Sequence, residues 1–136
     1  MASHTTLYER LGGEAGLTRI VGDFLDQFFK HDRIQNPLVV KRHDAAFQPE
    51  LKRQWVAFVT QATGGPKRYE GRTMHSSHVG MRISSRDFDT TIDLMRESLD
   101  RAGVERSDKD ALLELMQAQR KHIVDKEATG TPEHGS

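Results

Sequence analysis

Two histidines, His75 and His78, stand three residues apart in the stretch GRTMHSSHVGM (residues 71–81), with Met74 just before them and Met81 just after. Placed on a helix, Met74, His78 and Met81 share one face at i, i+4 and i+7, and His75 lies beside that row. Imidazole near neutral pH serves as a base, a proton shuttle or a metal ligand. Three readings compete. The plain one is a part-buried histidine bonded to a backbone carbonyl. The second is a His-x-x-His zinc site, which needs two further ligands at matching distance; no nearby Asp or Glu supplies an obvious one. The third is a single axial ligand to haem iron. Haem adds a demand of its own, because apolar side chains from facing helices must bury the macrocycle on both sides.

The elements available to meet that demand are helical. Leu17, Ile20, Val21, Phe24, Leu25, Phe28 and Phe29 follow the i, i+3, i+4, i+7 rule as one stripe, on a helix of about 14 residues. Leu51, Trp55, Phe58, Val59 and Ala62 repeat it, with Pro49 just before that helix and Gly64-Gly65-Pro66 ending it. Phe88, Ile92, Met95, Leu99 and Ala102 form a third stripe, capped by Ser84 or Ser85 and stopped at Gly103. A fourth is expected to begin at Ser107, with Asp110 in a capping-box-like position, and to continue through Leu112, Leu113, Leu115, Met116 and Ile123. A short first helix, Thr5 to Leu11, closes at Gly12-Gly13. No window alternates convincingly, so the class is all-α. The domain is expected to span residues 1–126, with a disordered tail over 127–136 that is rich in Gly, Pro and Thr. Residues 36–48 show no clear period.

Composition narrows the functions. The chain has 136 residues, enough for one ordinary domain and too few for two. Twenty Lys plus Arg balance twenty Asp plus Glu, so there is no basic excess of the kind that nucleic-acid binding needs. Without cysteine there is no disulfide, thiolate ligand or thiol nucleophile. Neither a membrane span nor a secretory signal is visible, and the expected compartment is the cytoplasm. The aromatic side chains on three stripes exceed what one small bundle core requires, although such stripes taken alone are usually simple packing.

The order of signals is informative as a whole. LYERLGG opens the chain, VGDFLDQFF is followed by HDRI, and a helix ends in TGG. Then come Tyr69-x-Gly71-Arg72-x-Met74-x-x-x-His78 and a helix that starts at DFD and ends in AGV. Together these resemble the truncated haemoglobins of group I, over residues 7 to about 124. The resemblance implies a two-over-two globin-like helical sandwich around haem b (iron protoporphyrin IX). It places His78 at the proximal iron-ligand position and Met74 on the haem. Phe58 and Phe88 fall on haem-cradling positions, and Gln54 on a distal-helix site whose side chain often reaches a haem propionate. Phe24 and Met81 join the expected pocket.

This chain departs from the family pattern on the distal side. Many members hydrogen-bond the bound gas with a tyrosine late in the second helix and a glutamine on the distal helix. Those positions hold Leu25 and Trp55, and Leu51 stands where ordinary globins carry the distal histidine. The remaining donors are the Trp55 indole N–H and, if it turns inward, the Gln54 amide. The loop NPLVVKRHDAAFQPE is several residues longer than usual and carries His43, which is either solvated or a sixth iron ligand. His75 is a weaker candidate for the same role, and His122 reads as a surface histidine. Three functions therefore remain open. One is a haem protein binding O2, NO or CO, with nitric oxide dioxygenase or peroxidase-type activity and an unidentified reductase. The second is a six-coordinate bis-histidine haem protein for electron transfer or sensing. The third is a haem-free helical interaction domain. The expected assembly is a monomer or weak dimer.

Overall fold

The first ordered turn is set by a reciprocal cap. Thr6 Oγ1 accepts the Glu9 N–H at 3.1 Å, and the Glu9 carboxylate accepts the Thr6 N–H at 2.9 Å. The resulting helix α1 covers only Leu7–Arg10, shorter than the Thr5 to Leu11 expected. It is nevertheless fixed from two directions. The Tyr8 N–H donates to the Thr63 carbonyl at 2.9 Å, and Arg10 Nε donates to Asp108 Oδ1 at 2.9 Å. The computed structural model that shows this describes residues 5–30, 46, 48–66 and 83–124.

Helix α2 runs Gly13–Lys30, longer than the apolar stripe alone indicated because its first turn carries only Gly, Glu and Ala. The chain enters it so tightly that a Cβ on Gly16 would lie 2.2 Å from the Leu11 carbonyl oxygen. Helix α3 covers Gln48–Ala62. It starts one residue before Pro49, so the proline sits inside the first turn, where no intrahelical N–H is lost. The Gly65 N–H then donates to the Thr60 carbonyl at 2.8 Å. A Cβ on Gly65 would fall 2.6 Å from Thr60 Cγ2 and 2.7 Å from the Tyr8 ring, so the TGG ending is the seat on which α1 rests.

Helix α4, Ser85–Arg101, takes Ser84 as its cap, with the Asp87 N–H donating to Ser84 Oγ at 3.0 Å. The last helix differs from expectation. Helix α5 is Arg106–Gln117; its cap residue is Glu105 and makes no side-chain cap bond. Ser107 lies inside the first turn, and Asp110 faces Arg106 instead, at 3.9 Å. The helix also does not run unbroken to Ile123. The Gln119 N–H bonds back to Met116 and the His122 N–H to Gln119, both three residues away. That tightening separates a final short helix, α6, Arg120–Ile123.

Among the described residues there is no strand, and the all-α reading holds. Helix α2 packs against both α3 and α4, and α4 packs against α5. The two pairs, α2 with α3 and α4 with α5, meet where α2 crosses α4. The seam holds Leu17, Val21 and Phe24 from α2, Val59 from α3, Met95 and Leu99 from α4, and Leu112 from α5, all at most 1% exposed. Each such side chain contributes about 1.5–3 kcal/mol by leaving water. No described helix is long and apolar enough to cross a membrane.

The crossing at Gly16 makes the first test. Gly16→Ala is expected to lower stability by about 1–3 kcal/mol, since a methyl group cannot fit against backbone. Ala15→Ser, at the exposed neighbouring position, should stay within about 0.5 kcal/mol in the same urea titration.

Candidate functional site

Helix α2 is covered on two flanks, and that makes neighbouring residues Phe24 and Leu25 both buried, at 0% and 2% exposure. Helix α3 is different. Val56, Val59 and Thr60 are buried, while Leu51, Trp55 and Phe58 form a second row about 100° around the helix and are only half-buried. Phe28 and Phe29 are half-buried as well. Large apolar side chains left partly uncovered in one row mark a face built to receive an apolar partner. Leu51, Trp55 and Phe58 therefore fit one side of a flat macrocycle, with Phe24 and Leu25 behind them.

That row is pinned at its centre. The Trp55 and Phe24 rings stand 4.8 Å apart with their planes tilted by 57°. Phe24 in turn meets Phe28 at 5.8 Å, and Phe28 meets Phe29 at 6.0 Å. Aromatic pairs in this range gain about 0.5–1.5 kcal/mol beyond area burial. The Trp55 indole N–H makes no hydrogen bond to another described residue.

The second donor named from sequence is engaged elsewhere. Gln54 Nε2 donates to Glu50 Oε2 at 2.9 Å, and Arg53 Nη2 holds both oxygens of the same carboxylate at 2.5 Å. The hydrogen bonds from Arg53, then from Gln54, keep the Glu50 carboxyl below its ordinary range. The bond from Glu50 raises the Arg53 guanidinium correspondingly. A lowered carboxyl favours folding above its unfolded-state value and loses that advantage as pH falls through the folded one. Here the cluster is solvent-exposed and its weight is small.

On α4, Phe88 is 5% exposed, and the Arg120 guanidinium lies over its ring at 4.6 Å from the centroid. Sequence reasoning missed Arg120, because nothing local in the chain ties it to a residue so far upstream. It also missed the Thr60 hydroxyl, which is fully buried with no hydrogen-bond partner. His122 is exposed, in keeping with a surface residue. His78, His75, His43, Met74 and Met81 lie outside the described residues, as does the Tyr69 to His78 string. Among the described residues, no group of three or more His, Cys, Asp or Glu could hold a metal ion.

A helical sandwich of two packed pairs, with a half-covered aromatic row facing out of one of them, is the frame of a globin. The Bacterial-like globin family model matches residues 6–125. A "Group 1 truncated hemoglobin" of Tetrahymena pyriformis is 31% identical over 73% of this chain and 78% of its own length. One from Nostoc sp. (strain MUN 8820) is 30% identical over 90% of this chain and 99% of its own. The crystal structure of the Tetrahymena pyriformis truncated hemoglobin in its Fe(III) form superposes with a TM-score of 0.79 at 25% identity, covering 90% of this chain and all of that one. The chain belongs to the bacterial-like globins and, within them, to the group I truncated haemoglobins. As a globin it is a haem protein that binds gases.

Trp55 is the only tryptophan, so its emission reports on this face directly. Phe24→Leu should preserve the far-ultraviolet circular dichroism and shift the Trp55 emission to longer wavelength. Phe24→Ala should cost about 3–5 kcal/mol in unfolding free energy. An unshifted spectrum in Phe24→Leu would show that the ring pair does not hold Trp55.

Proposed function

We propose that His78 holds the iron of haem b as its proximal ligand and that O2, NO or CO binds on the opposite side, against Leu25, Leu51 and Trp55. The observation that carries this reading is the half-buried row Leu51, Trp55 and Phe58 backed by Phe24 and Leu25. It stands on the helices where a truncated globin places its distal wall. Haem, when bound, supplies an iron atom with a coordination position open to a diatomic gas.

The residues of this chain then decide how the gas is held. Leu25 and Leu51 present no donor, so they exclude water and leave a bound dioxygen without the hydrogen bonds that a tyrosine or glutamine would give. Gas with partial negative charge is retained by preorganised donors. Trp55, fixed by Phe24 and with its N–H unengaged, is the donor that this side offers. Gln54 is held outward by Glu50. The expected behaviour is loose oxygen binding, with Trp55 supplying what retention there is. Met74, Met81, Phe58 and Phe88 complete the apolar walls. Turnover of nitric oxide by such a site uses an electron donor from outside the chain, so a separate reductase belongs to the reading, as does a cytoplasmic monomer or weak dimer.

Titration of the purified protein with hemin tests the reading. Wild type should develop a Soret band at one equivalent, and His78→Ala should lose it or shift it strongly. An identical band in His78→Ala would refute the assignment of the proximal ligand. A ferrous spectrum with sharp, split visible bands that collapse in His43→Ala or His75→Ala would replace the open site with histidine ligation.

The distal side is tested by dissociation rates. Leu25→Tyr should slow oxygen release by about tenfold, the worth of one hydrogen bond to a charged acceptor. Trp55→Phe keeps the ring and removes the N–H, and it should speed oxygen release about fivefold while leaving carbon monoxide release nearly unchanged. Equal oxygen rates in wild type and Trp55→Phe would reduce Trp55 to a wall.

A further inference from the structure

We propose that Arg120 is a positioning residue for haem: from the short helix α6 it clamps the Phe88 ring against the start of α4 and so fixes one wall of the pocket. The proposal rests on the haem reading above, in which Phe88 lines that pocket.

Arg120, on α6, is held by residues of two other helices, α4 and α5. Nη1 donates to Ser85 Oγ at 2.5 Å, and Nη2 donates to Asp89 Oδ1. Nε and Nη2 donate to Gln117 Oε1 at 3.3 and 3.2 Å. The guanidinium plane so fixed covers the Phe88 ring at 4.6 Å. Ser85, Phe88 and Asp89 are i, i+3 and i+4 on α4, so their side chains share one face and one arginine reaches all three.

Like Arg10 with Asp108 and Arg101 with Asp23, this ion pair joins separate helices. Arg53 with Glu50 and Arg96 with Asp93 are i, i+3 contacts within one helix, and such pairs contribute little. Arg120 instead crosses from α6 to α4, bridging 31 residues to Asp89 and 35 to Ser85, and its side chain is 32% exposed. A planar guanidinium stacked on an aromatic face while its N–H groups are engaged gives the ring one fixed attitude, which an ammonium on a flexible stem cannot do. The helix breaks just before residue 120. An uninterrupted α5 would carry Arg120 onward along its own axis, and the tightened turn at Gln119 is what accompanies its approach to α4. Phe88, buried below, has the guanidinium as its lid.

The test uses the hemin-loaded protein. Haem loss to an excess of apomyoglobin is measured for wild type, Arg120→Ala, Arg120→Lys and Asp89→Asn, with far-ultraviolet and Soret-region circular dichroism on each. Arg120→Ala should release haem about tenfold faster, the scale of a part-exposed cation–π contact together with its hydrogen bonds, and should alter the Soret dichroism without loss of helix. Arg120→Lys keeps the charge and fold but not the plane, and it should still release haem several-fold faster. Asp89→Asn keeps the stack and should remain close to wild type. In a Phe88→Leu background, Arg120→Ala should add almost nothing, because the two act through one contact. Wild-type rates and an unaltered Soret dichroism in both arginine variants would overturn the clamp alone. Additive effects in the Phe88→Leu background would also overturn it, assigning Arg120 to general stability. A wild-type chain that takes up no hemin would overturn the haem reading and this proposal together.

Discussion

The contact between Phe24 and Trp55 ties the interior of this protein to its working face. Phe24 sits at the centre of the seam between α2, α3 and α4, and its exposure is nil. Trp55 belongs to the half-covered row on α3. Because the rings are 4.8 Å apart, the attitude of Trp55 is set by the packing of the core. A site built this way is as rigid as the seam beneath it. It has little capacity to offer charge or hydrogen bonds, since the residues that enforce the geometry are apolar.

That arrangement alters the division of labour familiar in the group I truncated haemoglobins. In the proposed pocket Leu25 and Leu51 face the gas, while the Gln54 amide is bound to Glu50 on the helix surface. Among the described residues of the proposed distal side, the Trp55 N–H is a donor without a hydrogen-bond partner. In the proposed pocket one residue, Trp55, then carries both the wall and the donor.

How much of this could be read from the sequence depends on the range of the interaction. The helices follow from stripes whose period is fixed by 3.6 residues per turn, and the Ser84 cap and the TGG stop follow from local backbone chemistry. The row Leu51, Trp55 and Phe58 was legible for the same reason, and so was the family, through the order of several short strings. The Gln54–Glu50 bond lies within one turn and could have been found from spacing. The start of α5 at Arg106 and the break before Arg120 could not, because the residues around them carry a plausible cap at Ser107 and no stop signal before Arg120. Arg120 over Phe88 was invisible, since no pattern in the neighbourhood of either residue points to the other. The histidines are the reverse case: His78, His75 and His43 rest on residue type, spacing and resemblance alone.

The four residues of α1 are joined by a main-chain bond to the end of α3 and by Arg10 to Asp108, 98 positions later. Arg10 leaves the ribosome well before Asp108. Until Asp108 emerges, α1 lacks one of its two long-range anchors, and a helix of one turn does not persist unaided. Helix α1 is thus among the last elements to settle. Contacts of such high sequence separation slow folding and make the closing step cooperative. The order in which the protein is made and the order in which it becomes structured run in opposite directions at this point.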